Sequence, residues 1–211
     1  SYYDPSGRSK KGYNQMYLVP LYDLLNKVYI DAVIQPMRKR NEFAALYELI
    51  DRHAPCRGTV PVFIADRGFH AYNVFAHAIE NSTFFVIRAT DTKMKRLLGC
   101  DLPKEDIFDI RVTRYLTRSH SKKKYLHPES ADQYRHICKK VAFDYFRDEG
   151  YTEYEISLRV LRFPIGNSTY ENIITNLPEN EFRAEEIREI YHLRWGIETS
   201  FCTLKHAIAA V

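Results

Sequence analysis

At 211 residues the chain is long enough for one sizeable domain, or for a core carrying an insertion. Its 45% hydrophobic and 27% charged content, with 16 Tyr and 12 Phe, fits a soluble globular protein and excludes a disordered one. No apolar run approaches the ~20 residues of a membrane span and no signal peptide opens the chain, so no membrane partner is expected. The net charge of +4 permits a nucleic-acid partner without demonstrating one. Cys56, Cys100, Cys138 and Cys202 are scattered, without a paired zinc spacing, and read as buried thiols in a reducing cytosol. The first residue is Ser rather than Met, and the sequence stops in or just after a helix, so the chain reads as a fragment or processed piece.

Ser1 to Gly12 is polar, with Pro5, Gly7 and Gly12, and reads as a loop carrying Arg8, Lys10 and Lys11. Gln15 to Tyr22 and Val28 to Gln35 are apolar, β-favouring runs that predict a hairpin, with Pro20 where no ladder bond is needed. Asp23 and Asp31 are expected to serve the turn or the solvent face. Asn41 is a plausible N-cap for a helix with Phe43, Leu46, Tyr47 and Ile50 on its face. Arg57-Gly58 breaks the chain, and Val60 to Ala65 reads as a short buried strand. That strand ends at Asp66-Arg67-Gly68-Phe69, before a helix faced by Tyr72, Val74, Phe75, Ala78 and Ile79. An Asp at the carboxyl end of a buried strand is where α/β folds place ligands and metals; the same residue suits a cap for the next helix, and both readings stand.

Phe84 to Arg88 is another strand. Between Ala89 and Phe182 the pattern turns β-rich: Phe108, Ile110 and Val112 alternate with polar residues, as do Ile156, Leu158 and Val160, and Tyr170 to Thr175 is a further run. Tyr134, Ile137, Cys138 and Val141 fit a helix while Val141 to Phe146 alternates, so residues 128–150 fit neither element alone. The window 111–124 holds Arg111, Arg114, Arg118, Lys122, Lys123 and Lys124 and no acid, with Tyr115, His120 and Tyr125 in or beside it. Such a segment is either a solvated loop or a track for a DNA backbone, and Arg118, Lys122, Lys123 and Lys124 are the candidate contacts. His70 and His77 have no metal-ligand spacing and are assigned structural roles.

The last thirty residues read as one helix. Glu185, Glu186 and Glu189 suit its positive end, and Ile187, Ile190, Leu193, Ile197, Phe201, Leu204 and Ile208 form a continuous apolar stripe. Tyr191, Arg194, Glu198 and Lys205 fall roughly 40° to 100° to one side of it. The row is either an exposed flank with i,i+4 pairing or a cation-binding carboxylate flanked by donors for phosphate oxygens. Trp195 suits stacking on a base or completing the core, and the core is the favoured reading.

The spacing Tyr191, Arg194, Glu198, Lys205 resembles the Y-R-E-K signature of DDE transposases of bacterial insertion sequences, and Arg194-Trp-Gly-Ile-Glu-Thr-Ser-Phe201 is similar to the same family. Val62-Phe-Ile-Ala-Asp66-Arg-Gly-Phe69 resembles the segment bearing its second catalytic aspartate. The resemblance, from about Lys11 to Ala210, implies an α/β ribonuclease-H-like mixed sheet with helices, interrupted by a β-rich insertion. Residues 11–88 would be the first part of the core, 89–182 the insertion, and 183–211 the core helix carrying the catalytic Glu. It implies Asp66 and Glu198 as catalytic ligands of Mg²⁺ or Mn²⁺, Arg194 and Lys205 as contacts to transposon-end phosphates, and Tyr191 as a phenol hydrogen bond or stacking partner there. The implied partners are transposon-end and target DNA, on which a homodimer would act. The implied location is the bacterial cytoplasm, at the nucleoid when the protein is bound to DNA.

In the resembled family the first aspartate lies on a core strand upstream of the segment matching Lys11 to Gln15, so the resemblance implies that this strand is absent from the chain. Two rivals to a transposase core follow: an inactive truncated transposase that only binds DNA, and a ribonuclease-H-like nuclease or resolvase. The isolated chain is expected to show no Mg²⁺-dependent cleavage or joining of transposon-end DNA; robust turnover by these residues alone would overturn this.

Overall fold

The computed structural model describes residues 16–121, 123, 125–146, 153–166 and 169–208, with side chains up to residue 203. The chain divides into two units, one formed by residues up to 53 together with those from 195 onward, the other by residues 54–194.

In the first unit, strands β1 (Met16–Asp23) and β2 (Val28–Pro36) pair antiparallel, with Leu18 opposite Ile34 and Pro20 opposite Ala32. Pro20 is tolerated because each strand of a two-stranded ribbon is an edge. Asp23 closes the turn by accepting the backbone N–H groups of Leu25 and Asn26, both at 2.9 Å. Asp31 accepts from its neighbour Ala32 and pairs with Arg52 and His53, so both acids take turn and surface roles. Helix α1 (Glu42–Arg52) starts at Asn41, whose side chain accepts the Ala44 N–H at 3.1 Å, and buries Ala45 and Leu49 against Val33. Helix α5 (Trp195–Ile208) belongs to this unit: Ser200 Oγ donates to Tyr29 Oη at 2.6 Å, and a Cβ on Gly196 would stand 3.1 Å from Leu24 Cδ2.

The second unit is built on a six-stranded mixed sheet. Strand β3 (Val62–Ala65) runs parallel to β4 (Phe84–Ala89), joined through α2 (Tyr72–Glu80). After α3 (Asp91–Leu98) come β5 (Phe108–Thr117), β6 (Tyr134–His136), β7 (Glu153–Gly166) and β8 (Thr169–Thr175), then α4 (Ala184–His192). The strand order is β3-β4-β8-β7-β5-β6. Phe75 of α2 stacks on Phe85 with ring centroids 4.8 Å apart. A second core joins Ile187 and Tyr191 of α4 to Val86, Leu161, Phe163 and Ile173. The result is a mixed α/β fold with five helices among the described residues.

Three sequence expectations are corrected. The expected single C-terminal helix is two, α4 and α5, parted at Leu193–Arg194. The last turn of α4 tightens, with Arg194 N–H bonded to Tyr191 O at 3.0 Å, and Gly196, a poor helix former, follows at once. Leu193 and Trp195, assigned to the apolar stripe and the core, are 45% and 60% exposed. Cys56, Cys138 and Cys202 are exposed rather than buried, and only Cys100 is half-buried. Of the undecided stretch 128–150, Pro128–Gln133 is a 3-10 turn, Tyr134–His136 is the short strand β6, parallel to β5, and 137–146 is irregular, while 147–150 lie outside the described residues. Strand β8 pairs directly with β4, Ile174 opposite Ile87.

Two polar clusters stitch the irregular chain after β6 to the sheet and helices. Arg118 donates to the carbonyls of Ile137, Cys138 and Val141 and lies over the Phe146 ring. Asp144 accepts from Asn73 Nδ2 at 2.8 Å and from His77 Nε2 at 2.9 Å, and its own N–H donates back to Asn73 Oδ1 at 3.0 Å.

Arg118→Ala would leave three carbonyls without their donor and is expected to cost ~2–4 kcal/mol in denaturant unfolding, whereas Lys123→Ala should stay within ~0.5 kcal/mol. The Asn73 hydrogen bond, then that of His77, holds the Asp144 carboxyl below the usual carboxylate range. A depressed folded pKa gives stability that is present above the unfolded value and lost as pH falls through the folded one. The Tm gap between wild type and Asp144→Asn is therefore expected to be full at neutral pH and to close below about pH 4.

Candidate active site

Register builds the site in the second unit. Ala65 lies opposite Ile87 on parallel strands, so Asp66 and Arg88 follow side by side at the carboxyl end of β3 and in the last turn of β4's pleat. Side chains alternate along a strand, so both point to the face where Ile64 and Val86 meet α4. On the next strands Arg88 is opposite Ile173, and Glu171 is opposite Phe163. An Asp, an Arg and a Glu thus share one face across β3, β4 and β8.

Asp66 is exposed, and its Oδ1 accepts the N–H of Arg67 at 2.7 Å. The chain turns here, Phe69 N–H bonding to Asp66 O at 3.0 Å, and α2 begins only at Tyr72 with Ala71 as its N-cap. Asp66 therefore does not cap α2, which removes the structural alternative the sequence left open.

Helix α4 lays its last turn over this face. Glu186 accepts the N–H of Arg183 at 2.7 Å to fix the start of the helix, and Ile187 and Tyr191 anchor it in the core. Tyr191 is 2% exposed, and the Arg194 guanidinium lies 5.7 Å from its ring centroid. Burial pushes the Tyr191 hydroxyl pKa up; Arg194 draws it down, Asp66 raises it further, and Arg88 lowers it. Asp66, Arg88 and Arg194 thus all act on the Tyr191 hydroxyl.

Sequence reasoning missed a second set of residues around Glu171, which is 4% exposed. His192 Nε2 is 3.0 Å from its Oε2, Arg88 Nε 3.8 Å from its Oε1 and Arg188 Nε 4.0 Å from its Oε2. The usable signal was an acid inside the apolar run Tyr170 to Thr175, since a buried carboxylate requires partners.

The remaining candidates divide. Glu198 is exposed in the first turn of α5, in the other unit. Lys205 lies in α5, but its side chain is outside the described residues, as are Lys122 and Lys124 altogether. Lys123 is exposed. The rest of the basic window is engaged: Arg118 as above, Arg111 with Glu179 at 3.2 Å, and Arg114 buried with its Nε donating to Leu98 O at 2.6 Å. The rings beside the window stack on protein rings, Tyr125 on Tyr134 at 3.7 Å, Tyr115 on His127 at 4.7 Å and His120 on His136 at 3.6 Å. His77 pairs with Asp144, and His70 Nδ1 bonds to Arg67 O at 2.6 Å.

Among the described residues there is no group of three or more His, Cys, Asp or Glu side chains placed to hold a metal. Asp66 and Glu198 each carry carboxylate oxygens, which are hard donors of the kind Mg²⁺ and Mn²⁺ prefer. No helix among the described residues is long and apolar enough to cross a membrane. No curated protein matches the chain. The family model for the transposase DDE domain matches residues 2–208, almost the full length. The chain that carries Asp66 at a strand end beneath the Tyr191–Arg194 turn therefore belongs to the transposase DDE domain family.

Proposed function

We propose that the chain is the catalytic core of a transposase that cleaves and joins DNA, with Asp66 and Glu198 as ligands of a divalent cation. Membership of the family carries transposition catalysis on a DNA substrate, with a divalent metal generally in use. The observation that supports the finer reading is the placement of Asp66 beside Arg88 under Tyr191 and Arg194, because one sharp sequence resemblance there meets the first half of the other. A carboxylate at the end of a strand in a parallel pair is also where α/β sheets bind ligands, in keeping with a ribonuclease-H-like core in which 89–182 is the insertion.

Mg²⁺ or Mn²⁺, when bound, supplies charge neutralisation and nucleophile activation at phosphorus. The chain's own groups do the rest. Arg194 offers a planar fork to phosphate oxygens, and Lys205 adds a point charge. The Tyr191 hydroxyl, kept protonated by burial, remains a donor for a phosphate oxygen. Lys122, Lys123 and Lys124 give an ionic track for flanking DNA, supported by the exposure of Lys123. The substrates are transposon ends and target DNA, worked on by a homodimer in the bacterial cytoplasm at the nucleoid.

The test is a cleavage and joining assay on transposon-end DNA with the protein that contains this chain. Asp66→Asn and Glu198→Gln are each expected to lower turnover by roughly 10³-fold or more, the order lost with one preorganised charged group, while DNA retention changes by less than about twofold. Undiminished turnover in either variant would overturn the assignment. Cleavage without joined products would point to a nuclease, and retention of DNA without any turnover to a binding protein.

A further inference from the structure

We infer that Glu171 is a positioning residue for the phosphate grip of Tyr191 and Arg194. This inference rests on the proposed transposase reading. It concerns a residue that touches neither DNA nor metal in that reading.

A carboxylate buried in a β-strand is costly, and an apolar side chain of like volume would usually serve the sheet as well. Glu171 sits opposite Phe163 and beside Asn172, Ile173 and Ile174, where such a side chain would pack. It instead draws two guanidinium groups and an imidazole from two elements. Arg88 reaches it from β4, and Arg188 and His192 reach it from α4, one helical turn apart. Arg188 Nε is buried, with no hydrogen-bond partner among the described residues, and faces the carboxylate at 4.0 Å. Its guanidinium also lies over the Phe163 ring at 5.4 Å and donates to Pro164 O at 3.3 Å, which pins it to β7.

Residues 188 and 192 bracket Tyr191 on the helix. Two anchors a turn apart, both directed at one fixed oxygen pair, set the rotation of α4 about its axis. Apolar contacts at Ile187 and Tyr191 fix the helix on the sheet, but they tolerate sliding; a hydrogen bond at 3.0 Å does not. Arg194 leaves this turn through its N–H bond to Tyr191 O at 3.0 Å, so the direction of its departure follows from the turn that Glu171 holds. Arg88, beside Asp66, is bound to the same carboxylate, which ties the acid's neighbour and the grip to one group.

The test measures affinity for a short DNA duplex with one 5′-phosphorylated end, against the same duplex unphosphorylated, by fluorescence anisotropy. Glu171→Gln removes a negative charge from a DNA-binding face, so electrostatics alone would tighten binding. Positioning predicts the opposite sign: binding about tenfold weaker and a loss of preference for the phosphorylated end, the scale of one misplaced charge-assisted contact. In an Arg194→Ala background the same substitution should have no further effect. Tighter or unchanged binding in Glu171→Gln, or equal weakening in both backgrounds, would overturn the inference. If Arg194→Ala itself binds as wild type, the grip reading fails first, and the inference with it. Should Glu171→Gln not fold, His192→Ala is to show the same weakening from the solvent side. His192→Gln, whose amide can still donate to Glu171, is to restore binding; failure of that rescue counts against positioning.

Discussion

The apolar seam between α4 and the sheet is the constraint on which the site depends. Ile187 and Tyr191 are sealed against Val86, Phe163 and Ile173, and the burial of such side chains is worth ~1.5–3 kcal/mol each. The seam is greasy over most of its length and turns polar only at one end, where Asp66, Arg88 and Glu171 face the last helical turn. Charged groups are tolerated there because each finds an opposite charge or water, and because the hydrophobic contacts have already covered the cost of bringing them together. The last turn of the helix, with Tyr191 and Arg194, is thus held in place by a core of apolar side chains.

The parallel pairing of β3 and β4 does complementary work. In a parallel pair the two carboxyl ends emerge on the same side, so residues that follow each strand are neighbours without being close in sequence. Asp66 and Arg88 are brought together this way, with α2 as the crossover that makes the geometry possible. An antiparallel pair would have placed one of them at the opposite end of the sheet.

Much of this architecture is legible in the sequence wherever the signal is local. The hairpin, α1 with its Asn41 cap, and α2 behind Phe75 follow from periodicity and turn chemistry, and Asp66 stands out because a short apolar run stops at it. What is illegible depends on contacts distant along the chain. Strand β6 is three residues long and exists because β5 pairs with it, so nothing in Tyr134 to His136 announces a strand. Glu171 reads as an oddity in a strand until Arg88, Arg188 and His192 are seen around it. The division of the C-terminal segment into α4 and α5 was hidden by an apolar repeat that continues through Leu193 as if the helix did. Arg118 looked like a free cation because the carbonyls it binds lie about twenty residues later, in a stretch without a pattern.

The interruption at Leu193–Arg194 changes what the spacing of the signature means. Were Tyr191 and Glu198 on one rod, seven residues at about 1.5 Å each would fix their separation as firmly as teeth on a gear. With the rod broken between them, the interval counts links in a chain, and each half takes its bearings from its own packing. The signature is then two short words, one spoken by the sheet's helix and the other by the helix of the hairpin, and their order in the sequence records a covalent join rather than a ruler.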